Sequence, residues 1–371
     1  MAGIASQPSR RVFLGSSLAA AGMAAQSARN VPVAPEWLRY DDPTTELHVV
    51  RLTDPAHSSW LPAAYNRAVT RNSGGLLYGC DRSGQPQAFR LDLKTGESRQ
   101  LTELADLDVT SLAFSPDYRS FCCFSGGSLL HFGLANPRPR ELYRLPDGWR
   151  RCAGMSWTPD GGHILFGEQR AAGARLRAVA VLQGVPRTVI EAGFAIEHPI
   201  ARPARDQVLY RQAAEGLWLV DGTGLNNQRL RVAPGKIGNA AWSADGRSLQ
   251  YLSLPDDSAQ LHAIRECSPD TATDRLVAKT SQFACFSANR DSSVFVGASA
   301  NRSSPTVLLL LRVTRREFTL CEHKATRPES VAPVFSPDSQ HVLFQSDRDG
   351  HSAVYAIHVD KLVEPTEADI G

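Results

Sequence analysis

An all-β, seven-bladed β-propeller is the fold this sequence of 371 residues predicts. Three observations carry it: one short pattern recurs along the chain, each copy reads as four short strands, and the N-terminal region supplies a strand that the last copy lacks.

The pattern is an aromatic, a small residue, a Pro, Ala or Asn-type turn residue and an Asp or Asn, followed by an apolar strand. It occurs as Phe114-Ser115-Pro116-Asp117, Trp157-Thr158-Pro159-Asp160-Gly161, Trp242-Ser243-Ala244-Asp245-Gly246, Phe286-Ser287-Ala288-Asn289 and Phe335-Ser336-Pro337-Asp338. Phe114 to Trp157 is 43 residues, Trp242 to Phe286 is 44 and Phe286 to Phe335 is 49, so the gap of 85 between Trp157 and Trp242 hides a degenerate copy, filled by Pro199 to Leu209. A further degenerate copy at Val69-Thr70-Arg71-Asn72-Ser73-Gly74 brings the total to seven.

Within the first copy, Ala68–Thr70, Leu76–Cys80, Ala88–Leu93 and Ser98–Thr102 read as strands. Their separators, such as Asp81-Arg82-Ser83-Gly84 and Lys94-Thr95-Gly96-Glu97, hold residues that accept positive φ or bond their own backbone. The last copy has three strands only, near Val334, His341–Gln345 and Ala353–Val359. The stretch Leu47–Thr53 is expected to add the fourth and so to close the ring, which removes two open sheet edges.

Hydrophobic residues make up 42% of the chain and charged residues 21%, with a formal net charge of +2, so a large core is affordable and a disordered tail or fibre is excluded. No basic block interleaved with aromatics occurs, and no nucleic-acid partner is expected. Ser9-Arg10-Arg11-Val12-Phe13-Leu14 matches a twin-arginine export signal, followed by an apolar run from Leu14 to Ala25 that is too short and Gly/Ala-rich for a permanent anchor. The expected organisation is a signal peptide over residues 1–28, an N-terminal segment over 29–46, the propeller over 47–362 and a tail over 363–371. The mature chain is expected to be periplasmic or secreted, without a membrane span. The seven cysteines include no Cys-x-x-Cys pair and lie in apolar strand-like runs, which reads as buried small hydrophobes.

The segments Arg51-Leu52-Thr53-Asp54-Pro55, Leu76-Leu77-Tyr78, Phe89-Arg90-Leu91-Asp92-Leu93 and Gln100-Leu101-Thr102-Glu103 resemble the opening of the bacterial oligogalacturonate lyases. His198-Pro199-Ile200-Ala201-Arg202-Pro203 resembles a His-Pro-Ile-x-Arg-Pro segment of that family. Phe335-Ser336-Pro337-Asp338 with Val342-Leu343-Phe344-Gln345-Ser346-Asp347 resembles its last blade. The Ser-Pro-Asp and Ser346-Asp347-Arg348-Asp349-Gly350 elements are also similar to the WD40-like repeats of the Tol translocation propeller.

The lyase resemblance implies a polysaccharide lyase of pectin catabolism that cleaves short galacturonides by β-elimination, using a manganese-type ion held by three histidines and a glutamine. Such an ion neutralises the uronate carboxylate and acidifies the adjacent C–H. The family's ligand positions correspond here to Ser330, Ala332, Asn239 and a place near Arg327, so no metal cofactor is expected. Arg327, with Lys236 and Lys324 near in sequence, offers a fixed cation in place of the ion or else forms a solvated basic rim. On the same resemblance His198 lies at the mouth of the central funnel as a base or donor, with Arg202 gripping a carboxylate. The opposing reading is a turn histidine and an arginine packed between blades.

Two functions stay open at this level. One is an exported lyase-type propeller that binds, and cleaves or no longer cleaves, acidic oligosaccharides. The other is a non-catalytic propeller that holds a protein or glycan partner on the same funnel or rim.

Overall fold

The computed structural model describes residues 32–212, 216–257 and 259–359. The export signal, the cleavage region and the C-terminal tail expected from sequence lie outside them.

Seven antiparallel sheets follow one another along the chain. We number them as blades from the N-terminus. Blade 1 is built around Gly75–Cys80, Gln87–Asp92 and Ser98–Gln100; blades 2 to 6 span residues 107–144, 150–192, 197–229, 236–279 and 283–322; blade 7 is built around Val334–Phe335, His341–Ser346 and Ala353–His358. Seven apolar clusters hold them, and each cluster joins two neighbouring blades. Phe124 and Tyr143 of blade 2 meet Met155 and Phe166 of blade 3, and Val342 and Tyr355 of blade 7 meet Val294 and Leu309 of blade 6. The ring closes because Leu76 and Tyr78 of blade 1 share a cluster with Leu343 and Val354 of blade 7. All seven cysteines are buried and unpaired.

The repeated motif is a turn whose hydrogen bonds explain its letters. In blade 2 the Ser115 amide donates to Ser120 O (2.9 Å), and the Ser115 hydroxyl accepts from the Ser120 amide (3.1 Å). Asp117 Oδ1 in turn accepts from Ser115 Oγ (2.5 Å). Thr158 with Asp160 (2.6 Å), Ser243 with Asp245 (2.6 Å) and Thr70 with Asn72 (2.8 Å) repeat the arrangement. The fourth turn residue is left-handed, as at Ser73, Gly161, Gly246, Ser292 and Ser339, which is why Gly and Ser dominate there. The aromatic ahead of the turn fastens to the preceding blade: Trp157 Nε1 donates to Ala113 O at 3.2 Å.

Closure follows the sequence expectation. His48–Arg51 pairs with the outer strand of blade 7, with Val49 opposite Ile357 and Arg51 opposite Tyr355. Two additions were not foreseen. Leu38–Asp41 adds a fifth strand outside His48–Arg51, and Pro32–Val33 adds one outside Ser98–Gln100 of blade 1. The first-blade strand expected at Ala68–Thr70 is corrected to a single bridge, Val69 to Leu76. Ser59–Trp60 supplies the other paired end of that innermost strand, opposite Cys80 and Gly79.

Candidate functional site

The innermost strand of each blade runs from one face of the propeller to the other, and in blade after blade it bulges on the way. Residues 198–199 stand against Tyr210 between the pairs Glu197 to Arg211 and Ile200 to Leu209. In blade 3, residues 152–154 stand against Gly167; in blade 5, 238–239 stand against Leu252. Blade 1 carries the largest excursion, residues 61–68, between Trp60 and Val69. A bulge frees residues from the sheet ladder and re-aims their side chains, and bulges concentrate beside active sites.

The excursion of blade 1 reaches blades on both sides of the ring and across it. The Leu61 amide donates to Gln345 Oε1 of blade 7 (2.6 Å), and the Ala63 amide donates to Thr110 O of blade 2 (3.3 Å). Tyr65 packs against the apolar cluster between blades 4 and 5, and its Oη lies 3.1 Å from His198 Nδ1. His198 has φ +47 in its bulge, a conformation that non-glycine residues adopt rarely. Gly154 of blade 3 stands beside the pair with φ +83; a Cβ there would fall 2.3 Å from Tyr65 Oη and 2.9 Å from His198 Nδ1.

Two arginines flank this histidine. Arg151 forms an ion pair with Asp108, donates to Cys152 O at 3.2 Å and lies 4.8 Å over the Phe124 ring. Arg211 sits across the ladder from Glu197 and donates to Ile237 O. Burial holds both guanidinium groups below their usual pKa. Burial also lowers the His198 pKa, with Arg211 and Arg151 adding to the shift and Glu197 opposing it, so the imidazole is neutral at pH 7.

Of the three site residues expected from sequence, His198 alone belongs to this group. Arg202 is 1% exposed at the opposite end of the same strand, at the turn position that is Thr70, Ser115, Thr158, Ser243 and Ser336 in five blades and Asn289 in blade 6. It grips Asp270 through both terminal nitrogens (2.9 and 2.7 Å), donates to Gly246 O (2.6 Å) and Gln207 Oε1 (2.8 Å), and lies 5.0 Å over the Trp242 ring. Its contacts are those of a seam between blades 4 and 5. Arg327, on the link into blade 7, is 73% exposed with Glu329 3.4 Å away. Lys324 pairs with Glu322 at 2.6 Å.

The positions aligned with the family's metal ligands lie in or beside the bulges, and their donors are already used. Asn239 Nδ2 donates to Phe286 O (2.6 Å) and its Oδ1 accepts from the Phe286 amide (3.1 Å), clipping blade 5 to blade 6. Ser330 Oγ donates to Arg327 O (2.7 Å), and Ser330 O accepts from Gln345 Nε2 (2.6 Å). Ala332, with φ +43, has no donor atom on its side chain. Among the described residues no group of three or more His, Cys, Asp or Glu is disposed around one point. This donor set does not fit a manganese-type ion.

Sequence reasoning missed Tyr65, Gly154, Arg151 and Arg211. Gly154 carried the one usable signal, a glycine inside a strand pattern, which marks a bulge or a close backbone approach.

No protein-family model matches the chain. Among curated proteins, the oligogalacturonate lyase of Dickeya dadantii (strain 3937) is 24% identical over 376 residues, covering 86% of this chain and 95% of that protein. The oligogalacturonide lyase of Pectobacterium atrosepticum is likewise 24% identical, with the same coverage of 86% and 95%. Among solved structures, an oligogalacturonate lyase in complex with manganese matches with a TM-score of 0.84 at 22% identity, covering 89% of this chain and 98% of the other. The oligogalacturonate lyase of Vibrio parahaemolyticus matches with a TM-score of 0.83 at 21% identity, covering 91% and 100%. Similar in sequence to the curated lyases along most of its length, and folded like the solved ones, the chain is a seven-bladed propeller related to the oligogalacturonate lyases.

Proposed function

We propose that the ring of strand bulges binds a short, carboxylate-bearing sugar chain of the galacturonide kind, and that β-elimination at this site is weak or absent. The observation that carries the binding is the pair of partly buried guanidinium groups, Arg151 and Arg211, close enough to the neutral imidazole of His198 to oppose its protonation. Desolvated cations are costly, and a uronate carboxylate beside Arg211, or sharing Arg151 with Asp108, would offset that cost while hydroxyl oxygens accept from the imidazole. A neutral glycan offers the second interaction without the first. Arg327 adds an exposed positive charge on the link to blade 7 and steers anions without having to hold them.

The proposal of weak turnover rests on the engaged side chains of Asn239 and Ser330 and the bare methyl of Ala332. Elimination removes the proton beside the carboxylate and breaks the bond to the leaving sugar oxygen, and the negative charge gathers on the carboxylate in between. Arginine offers hydrogen bonds and charge to that anion but no Lewis acidity. No metal cofactor is part of this proposal. Delivery across the inner membrane by Arg10-Arg11 is part of it: replacing both with Lys should leave the precursor in the cytoplasm on fractionation.

The test is to titrate the protein with di- and trigalacturonate by calorimetry while following the ultraviolet absorbance of the new conjugated double bond in a separate assay. Binding without turnover is expected. Rapid turnover abolished by His198→Ala would make the chain an active, metal-free lyase, and absence of binding to any uronide would turn the reading toward a propeller for a protein partner.

A further inference from the structure

We infer that Tyr65 is a positioning residue: it fixes the tautomer of His198, so that the imidazole faces the bulge ring with Nε2–H as a hydrogen-bond donor and does not serve as a base. The role toward a ligand rests on the function proposed above; the tautomer itself does not.

Tyr65 Oη lies 3.1 Å from His198 Nδ1, with the rings edge-on at 79° and 5.9 Å between centroids. Of the two groups the phenol O–H is the stronger donor and the imidazole nitrogen the stronger acceptor, so the shared hydrogen lies on Oη and Nδ1 accepts it. Burial pushes the Tyr65 phenol well above its usual pKa, so the hydrogen is present throughout the physiological range. With Nδ1 accepting, the neutral ring carries its proton on Nε2.

The surroundings keep this arrangement. Gly154 admits the pair because any Cβ would collide with both partners. The charged groups facing His198 are Glu197, Arg211 and Arg151, and Arg151 is itself paired with Asp108. The two arginines oppose protonation of the ring, and Glu197 alone favours it. The consequence for recognition is specific: the atom of a ligand that meets His198 must be an acceptor, a hydroxyl, ring or carboxylate oxygen. His323, which is fully buried, shows the same tautomer in a purely structural setting, with Nε2 3.1 Å from Ser299 O and Nδ1 accepting from the Ala325 amide at 3.0 Å.

Long-range proton–nitrogen correlation spectra of the ligand-free protein read the tautomer directly. The wild type is expected to show His198 protonated on Nε2 at pH 7. Tyr65→Phe should bring in the Nδ1–H form and move the His198 titration upward, because a donor to the neutral ring has been lost; Gly154→Ala, which wedges the pair apart, should do the same. A wild-type ring protonated on Nδ1, or a Tyr65→Phe spectrum with tautomer and titration unchanged, would overturn the inference. In calorimetry with digalacturonate, Tyr65→Phe should bind about threefold to tenfold more weakly, the scale of one hydrogen bond. Wild-type binding unaffected by Tyr65→Phe would overturn the role toward ligands. Absence of wild-type binding would sink the proposed function and that role together, while the spectra still decide the tautomer.

Discussion

Arg202 and Asp270 form a two-pronged ion pair, at 2.9 and 2.7 Å, that joins the first turn of blade 4 to a turn of blade 5. Arg202 is 1% exposed, whereas Asp270 is 43% exposed, so the two partners are not equivalent. Removing the arginine frees a carboxylate that water can solvate and empties a packed seam against Trp242. We expect Arg202→Ala to lower stability by about 2–4 kcal/mol, from lost hydrogen bonds and a partly unfilled cavity. Denaturant melts check the magnitude. Digalacturonate affinity should be unchanged where the variant is folded, since the residue faces away from the bulge ring; loss of binding there would return Arg202 to the site.

The turn aspartates make the fold sensitive to acid. Hydrogen bonds from Ser115, Thr158 and Ser243 hold Asp117, Asp160 and Asp245 below the ordinary carboxylate pKa. A folded-state pKa below the unfolded value of about 3.9 means stability that is present above that pH and lost as pH falls through the folded value. Melting temperature should therefore drop steeply below about pH 4. Replacing the three with Asn keeps an acceptor in each turn and removes the titration, so the triple variant should show a shallower decline. Parallel curves would place the acid sensitivity elsewhere.

Closure depends on a strand from the other end of the chain. Val49 is fully buried in the cluster between blades 6 and 7, opposite Ile357. Val49→Asp places an unpaired carboxylate there and should cost more than about 3 kcal/mol. Deleting residues 47–54 should open the ring and expose the edge of Ala353–His358, with aggregation as the result. Light scattering and melting curves test both, and a monomeric deletion variant of unchanged stability would show that the ring closes by other contacts.

Metal content offers an independent check. With the Asn239 amide engaged on Phe286 and no side-chain donor at Ala332, purified protein should hold no stoichiometric manganese, nickel or zinc. A chelator should leave the melting temperature where it was. Elemental analysis finding about one tightly bound transition ion per chain would overturn the correspondence of ligand positions.

The propeller was legible because its turns repeat a hydrogen-bonded chemistry: a hydroxyl at the first position, an acid at the third and a left-handed residue at the fourth leave the same letters in blade after blade. The closing strand was legible because the last copy falls one strand short. The site was not, because a bulge interrupts the pleat without adding a periodic signal, and Tyr65 reaches His198 from a segment 133 residues earlier in the chain. Arg202 illustrates the difficulty. The family resemblance put it beside His198 as a grip for a carboxylate, yet it stands at the other end of the strand from the bulge, bound to Asp270. Its position before Pro203 matches that of Ser115 before Pro116, the first residue of the turn.

Binding of an acidic sugar in the ring of bulges can be read residue by residue from amide chemical-shift mapping with digalacturonate. The largest changes are expected at Gly154, His198, Asn239 and Ala332, with the turns at Ser73, Gly161 and Gly246 on the opposite face unmoved. Shifts confined to those turns, or no shifts at millimolar sugar, would contradict it.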